Sequence, residues 1–306
     1  MSNALTSFSE ELTQAVAGVE PHVISLGGRR HSYAGGIVWR PGVVVTAEHA
    51  LAGGDQVTAI LPDGNTTAAT VAGRDGGTDI AVLRLETETA AVPNRTADGI
   101  HPGALAIAVG RAPEIGTLAT MGIISGVRGT WRTWRGGSID RYIRLDMGMY
   151  QGSSGAAVVD ARGRVLGMAT TALSRTAGVA IPNATLDRVV DQILAKGHVT
   201  RVWLGVGLQP VAIPEHLLKG SQSKTGLMIV SLEAQGPAEQ SGLFPGDIIL
   251  AIGGGEIEDV SDVQDLLEGK AGQEIDFRIL RGGEVRELRV RAGKRSPRSS
   301  GDARHR

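Results

Sequence analysis

The chain contains no cysteine, so neither disulfides nor thiolate metal sites contribute to its fold, and no redox compartment is written into it. Aromatic residues make up only 3% of the 306 positions, which leaves the core to aliphatic side chains. No run of about 18 apolar residues occurs, so no helical membrane span is expected. The formal net charge of −1 supplies no general attraction to nucleic acid or to an anionic membrane surface, and neither is expected as a partner. No cofactor and no metal are expected either. The N-terminal stretch MSNALTSFSEELTQAVAG carries acids where a secretory leader has a basic region and then an apolar one. The expected location is therefore cytoplasmic, with the periplasm or cell envelope as the alternative had a leader been removed.

What is abundant is glycine, at 44 residues, set between short β-branched runs. From Val23 to Ile181 these runs include HVISL, GGIVW, GVVVTA, QVTAIL, TDIAVLRL, LAIAVG, GAAVVD and RVLGMAT. Close spacing of such runs argues for an all-β sandwich or barrel over alternating βαβ units. Two six-stranded halves fit within this stretch. Before it, Ser7-x-x-Glu10 reads as a capping box, and Phe8, Leu12, Ala15, Val16 and Val19 fall at helical spacing, predicting a helix over 6–18. After it, Asn183 is expected to cap a helix with the stripe Leu186, Val189, Val190, Ile193 and Leu194, closed by Gly197. A second domain begins near Val202, with strands in GVGLQPV, GLMIVSLE, DIILAIGG, IDFRILRGG and VRELRVR and a helix over 261–267. The expected divisions are a helical segment at 1–20, a first domain at 21–199, a second at 200–292, and a basic tail at 293–306 without periodicity, read as disordered.

Three segments carry chemistry. Val43–Thr46 is a buried-strand run that leads into His49. Asp79 stands at the mouth of the strand Ile80–Leu83. Ser154 lies in Gly152-Ser153-Ser154-Gly155-Ala156. Taken singly, each has an ordinary structural explanation: a satisfied histidine, a turn aspartate, a glycine loop. Together, in the order His, Asp, Ser, they match what nucleophilic catalysis by serine requires. A hydroxyl becomes a useful nucleophile only when a base takes its proton, and an imidazole does so near neutral pH. A buried carboxylate holds that imidazole in one tautomer and stabilises its cation. Glycines beside Ser154 permit a sharp turn that aims the N–H groups of Gly152 and Ser154 at a developing oxyanion.

These motifs resemble those of the HtrA (Deg) serine proteases, and the likeness runs from about Gln14 to Arg291. His49 matches the histidine of V-T-x-x-H, Asp79 the aspartate of T-D-[IL]-A-V-L, and Ser154 the serine of G-N-S-G-G. Gly122–Ser125, Tyr142–Asp146 and Val179–Pro182 also fit. The resemblance implies a mainly β protein: a trypsin-like domain of two β-barrels followed by a PDZ domain, an α+β partly open barrel. The PDZ signature is Gly236-Pro237-Ala238-Glu239-Gln240-Ser241-Gly242-Leu243 with Pro245–Ile249. It implies a serine endopeptidase acting on unfolded or damaged polypeptide. Its PDZ groove is expected to take C-terminal or extended peptides, between the carboxylate loop Trp203-Leu204-Gly205-Val206 and a wall of Val263, Leu266 and Leu267. A catalytically silent peptide-binding scaffold is the alternative. Met149, Met168 and Leu173 match positions lining the family's S1 pocket, and their apolar character implies small-to-medium aliphatic residues at P1. Phe8, Leu12 and Val16 would supply contacts for a homotrimer. Trp131 and Trp134 fall in a loop that in the family senses the PDZ domain or a neighbouring subunit. Departures from the pattern are Ser153 for Asn, Ala156 for the second Gly (tolerable only at negative φ), and Gly110-Arg111-Ala112-Pro113 for G-N-P.

Overall fold

A computed structural model describes residues 3–28, 32–214, 224–267 and 269–295. It divides into two compact units, 1–199 and 200–306. Helix α1 (Ala4–Val19) opens the first unit and precedes strands β1 (Val23–Gly27), β2 (Tyr33–Arg40), β3 (Val43–Ala47), β4 (Gln56–Ile60), β5 (Thr66–Asp75) and β6 (Ile80–Leu85). These six close into a barrel in the order β1-β2-β3-β6-β5-β4. Then follow β7 (Leu105–Ala112), β8 (Gly116–Arg128), the small ribbon β9 (Trp131–Arg132) and β10 (Ser138–Ile139), β11 (Tyr142–Asp146), β12 (Ala157–Val159), β13 (Val165–Thr170) and β14 (Gly178–Pro182). All but the ribbon close a second barrel, β11-β14-β13-β12-β7-β8. Helix α2 (Asn183–Lys196) completes the unit.

The apolar runs are continuous, not alternating, because strands that face the seam are covered on both sides. Along β3, Val44 points into the first barrel with Ile24, Leu26 and Leu83. Its neighbours Val43 and Val45 point outward into a shared layer with Val109, Ala157, Val159 and Ile181 of the second barrel. On β12, Val158 faces the second barrel's interior with Ile143 and Leu166. The first unit thus has one aliphatic core inside each barrel and a third between them, and the candidate active site lies on that third layer. At roughly 25 cal/mol per Å² of apolar surface, burial on both faces makes these short strands strong contributors to stability.

The two helices differ from expectation at their starts. Asn3 caps α1, its side chain accepting the N–H of Leu5 at 3.3 Å, so the helix begins at Ala4 and Ser7 lies inside it. Ala15 and Val19 are buried, with Leu12 and Val16 packed on their own unit, and the exposed apolar residues are Leu5 and Phe8. At α2 the N-cap is Pro182. Asn183 instead turns its amide to donate to the carbonyls of Thr96 and Val165 at 2.9 and 2.8 Å. Gly197 ends the helix at φ 75° as expected. The helix is tied to the first barrel by Trp39, wholly buried, whose indole N–H donates to Asp187 at 2.8 Å while Arg95 stacks over its ring.

The second unit comprises β15 (Arg201–Trp203), β16 (Val206–Ala212), β17 (Thr225–Leu232), α3 (Pro237–Gln240), β18 (Ile248–Ile252), β19 (Gly255–Glu256), α4 (Val260–Leu267), β20 (Glu274–Arg281), β21 (Glu284–Arg291) and β22 (Gly293–Arg295). Its sheet runs β16-β17-β18-β20-β21, leaving β16 at an edge, and β15 pairs with β22. The tail expected to begin disordered at 293 is ordered at its first three residues, because Gly293–Arg295 finds backbone partners in Arg201–Trp203. The rest of that expectation, 296–306, lies outside the described residues. Among the described residues no helix is long and apolar enough to cross a membrane, which says nothing of β-barrel spans.

A charge pair with a buried carboxylate organises the second unit. The Asp247 carboxylate accepts two hydrogen bonds from Arg281, both at 2.7 Å, and the N–H of Phe244 at 2.8 Å. Arg281 also donates to the Gly242 carbonyl and stacks on Phe244. Burial would raise the Asp247 ionisation, but the bonds from Arg281 and Phe244 outweigh it and hold the carboxyl below its usual value. A carboxylate depressed in this way stabilises the fold above its unfolded ionisation and loses that contribution as pH falls through the folded one. We expect Arg281→Met to destabilise the second unit by about 3 kcal/mol, the cost of stranding a buried charge. Denaturant unfolding at pH 7 checks this. Below pH 4 the gap between variant and wild type should narrow as Asp247 protonates in both.

Candidate active site

Asp79 ends the loop between β5 and β6 with a backbone φ of 59°, a left-handed conformation that is uncommon outside glycine. Tertiary structure holds it there. The loop is braced by Asp75, which accepts from the Gly77 N–H at 3.3 Å and the Thr78 hydroxyl at 2.6 Å. The Asp79 carbonyl accepts the Glu48 N–H at 3.1 Å. The Asp79 carboxylate, fully buried, lies against His49: Oδ2 and Oδ1 are 2.8 and 3.0 Å from Nδ1, and Oδ1 also accepts the His49 backbone N–H at 2.9 Å. Thr170, at the end of β13, donates its hydroxyl to Oδ2 at 2.5 Å. With the carboxylate supplying only acceptors, the Nδ1 proton is assigned to the imidazole and Nε2 is left as the basic nitrogen.

Ser154 arrives from the second barrel on the turn before β12, nine-tenths buried. Gly152 and Gly155 adopt φ 83° and 90°. A side chain at Gly155 would run into the Gly35 carbonyl, and one at Gly152 into the ring of Tyr33. The Gly35 N–H donates to the Ser154 carbonyl at 3.0 Å, and the Gly155 N–H to Ala169 at 2.8 Å, fixing the turn from both barrels. Ser153 serves where the family has Asn: its hydroxyl accepts the Tyr150 N–H at 2.9 Å while its own N–H returns to the Tyr150 carbonyl at 3.0 Å. Ala156 is not among the described residues of positive φ, so its methyl group introduces no strain. The N–H groups of Gly152 and Ser154 make no hydrogen bond within the described residues. Tyr33 walls this turn. Burial, then Glu114, pushes its phenol above the usual value, keeping it protonated.

The structure therefore brings His49, Asp79 and Ser154 to one seam. It also adds two hydroxyls that sequence reasoning missed. Thr170 is the partner of Asp79 just described. Thr171 follows, 3.2 Å from Ser154 Oγ and 3.5 Å from His49 Nε2. The available signal was a pair of hydroxyls closing the otherwise apolar run Val165–Ala169.

The expected S1 residues divide. Met149 is partly exposed and its side chain lies against Gly178, 3.1 Å from where a Cβ would stand. Met168 has no exposed surface and belongs to the layer between the barrels, as does Leu173 at 2% exposure. Met168 is thus core, not pocket wall: β13 is buried on both faces, so a side chain there has no solvent side. In the second unit, Leu204, Val263 and Leu267 are buried in one cluster. Leu266 is partly buried against the same cluster and lies over Gly255. The Leu204 and Gly205 carbonyls accept the N–H groups of Ala238 and Glu233 at 2.9 and 2.8 Å. Gly205 has φ 72°, and Trp203 and Val206 flank the turn.

The loop with the two tryptophans is anchored beside the site. Thr133 donates to the Gly77 carbonyl at 2.6 Å, in the turn before Asp79. Trp131 meets Tyr142 edge-on at 4.9 Å, while Trp134 is 74% exposed. Arg111 is buried, donating to the Val23 carbonyl at 3.2 Å and to Thr117 at 3.3 Å.

Residues 34–168 match the trypsin-like peptidase domain and residues 228–281 the PDZ domain, so the class is that of a trypsin-like peptidase domain followed by a PDZ domain. Among relatives, the "Probable periplasmic serine endoprotease DegP-like" of Brucella suis biovar 1 (strain 1330) is 32% identical over 266 residues, covering 84% of this chain and 51% of its own. The chain thus spans about half the length of that curated relative. Two solved structures match end to end. "HtrA-type protease AlgW with decapeptide" is 28% identical with a TM-score of 0.78, covering 94% of this chain and 99% of its own. "HtrA-type protease AlgW with tripeptide" is 31% identical with a TM-score of 0.76, covering 94% and 98%. The chain belongs to the HtrA-type protease family. The expectation of a cytoplasmic location is overturned by these relatives, several of which are named periplasmic.

Two substitutions probe the geometry. Thr170→Val removes a hydrogen bond to a buried carboxylate, a loss of about 1.5–3 kcal/mol. It should lower kcat/KM roughly ten- to hundredfold in a peptide-cleavage assay. Gly152→Ala places a methyl group in the Tyr33 ring and an alanine at φ 83°. The expected loss is about 10²–10³ in kcat, with Gly152→Ala/Tyr33→Ala recovering only part of it because the backbone strain persists.

Proposed function

We propose that this chain is a serine endopeptidase in which Ser154 is the nucleophile, His49 the general base and acid, and Asp79 the group that orients His49. The pairing of His49 with the fully buried Asp79, set beside a glycine-flanked serine, carries the reading. Ser154 Oγ attacks the scissile carbonyl carbon as its proton passes to His49 Nε2. The oxyanion is received by the N–H groups of Gly152 and Ser154. Collapse of the tetrahedral intermediate breaks the C–N bond, with His49 returning the proton to the leaving amine. Water, activated in the same way, then releases the acyl group. Asp79 stays ionised and stabilises the imidazolium throughout.

Unfolded or damaged polypeptide in the periplasm or cell envelope is the proposed substrate, and protein quality control the role. Support comes from the relatives' names and from the neighbours' bound peptides. Among the described residues β16 is an edge strand, to which an extended or C-terminal peptide can add, with Trp203–Val206 and α4 as its surroundings. Met149 beside Gly178 supports an aliphatic preference at P1. A homotrimer through the N-terminal segment is proposed on the exposed Leu5 and Phe8.

Hydrolysis of casein by wild type and Ser154→Ala tests the activity. Wild type should cut and the variant should not. Silence of both, even with a hydrophobic C-terminal peptide added, would favour a peptide-binding scaffold. In a peptide library, cleavage after Val, Ala or Leu is expected, and cleavage confined to Lys and Arg would overturn the aliphatic pocket.

A further inference from the structure

Resting on the reading of Ser154 as nucleophile, we infer that Thr171 is a positioning residue whose hydroxyl latches the resting site by standing between Ser154 and His49. Among the described residues, Ser154 Oγ has one hydrogen bond, to Thr171 Oγ1 at 3.2 Å, and none to His49. Thr171 Oγ1 in turn lies 3.5 Å from His49 Nε2.

The direction of each bond follows from the far end of the chain. The Asp79 carboxylate accepts from His49 Nδ1, from the His49 N–H and from Thr170, so the imidazole proton sits on Nδ1 and Nε2 can only accept. The hydroxyl facing Nε2 is that of Thr171, which therefore donates. Its oxygen is then the acceptor for Ser154. The order is Ser154 to Thr171 to His49 to Asp79, and the Ser154 proton points away from the base that must take it.

For attack, Ser154 must exchange Thr171 for His49 Nε2. Thr171 is solvent-exposed, unlike its buried neighbour Thr170, so its side chain has room to turn to another staggered rotamer. Releasing it costs one neutral hydrogen bond, a modest term that nonetheless enters every turnover. A latch of this kind lowers the standing reactivity of the serine without removing any member of the catalytic set.

The experiment measures the rate at which diisopropyl fluorophosphate labels the full chain. In that reaction the Ser154 O–H bond breaks, an O–P bond forms, fluoride leaves phosphorus, and the proton passes to His49. The reagent is too small to displace Thr171 by binding. Thr171→Val keeps the side chain's shape and removes the bridge. It should be labelled roughly two- to tenfold faster than wild type, the range expected for one neutral hydrogen bond. Thr171→Ser keeps a hydroxyl and should label at the wild-type rate. Thr171→Ala, with its fold checked by circular dichroism, should match Thr171→Val. Labelling of wild type with no acceleration in either Val or Ala overturns the latch alone. Acceleration in Thr171→Ser equal to that in Thr171→Val also overturns it, since a loosened loop would then suffice. Failure to label any form overturns the nucleophile reading and the latch with it.

Discussion

The Asp79 carboxylate is the point on which the first unit's chemistry depends. A fully buried carboxylate is tolerable only when its oxygens are satisfied, and here the donors come from both barrels. The first barrel supplies the His49 ring and its backbone N–H, and the second supplies Thr170. The same contacts keep Asp79 in a left-handed backbone conformation that it would not favour alone. Closing the barrels on one another and orienting the imidazole are thus one event. A chain that failed to bring β13 against the turn before β6 would leave a charge in an apolar layer.

That layer also explains how much of the protein is readable from its residues. Two barrels were legible because strands covered on both faces produce short, unbroken aliphatic runs separated by glycine. His49, Asp79 and Ser154 were legible because each carries a local signature: a strand leading into a histidine, an aspartate at a strand mouth, a serine between glycines. Thr170 and Thr171 carry only a faint one, a pair of hydroxyls closing an apolar run. Their partners lie far away in sequence, 91 residues for Thr170 and Asp79 and 122 for Thr171 and His49, and only closure of the seam defines them. Continuous burial also misdirects. In a strand with no solvent face, the residue aimed at a pocket cannot be told from the one aimed at the core, which is how Met168 came to be placed on a wall it does not form.

The ends of elements were less legible than their existence. Asn3 and Ser7 are both competent caps, and the choice fell to the one that lets α1 lay Leu12, Ala15, Val16 and Val19 on the barrel layer. Asn183 has the chemistry of a cap but is drawn off to two carbonyls 87 and 18 residues away. At the C-terminus, the low-complexity look of GKRSPRSS hid three residues whose backbone pairs with β15, since pairing of this kind uses no side chain.

The turn that carries Ser154 meets the first barrel backbone to backbone, with Gly155 against Gly35 and no side chain between them. Elsewhere a misfit can be absorbed by a rotamer change, but two bare peptide planes have nothing to rotate. This junction therefore behaves as a gauge: it accepts one spacing of the barrels and refuses its neighbours. Side chains away from the joint, such as the exposed Trp134, can change without disturbing the gap. Substitutions on the outer surface therefore leave the distance across this joint untouched.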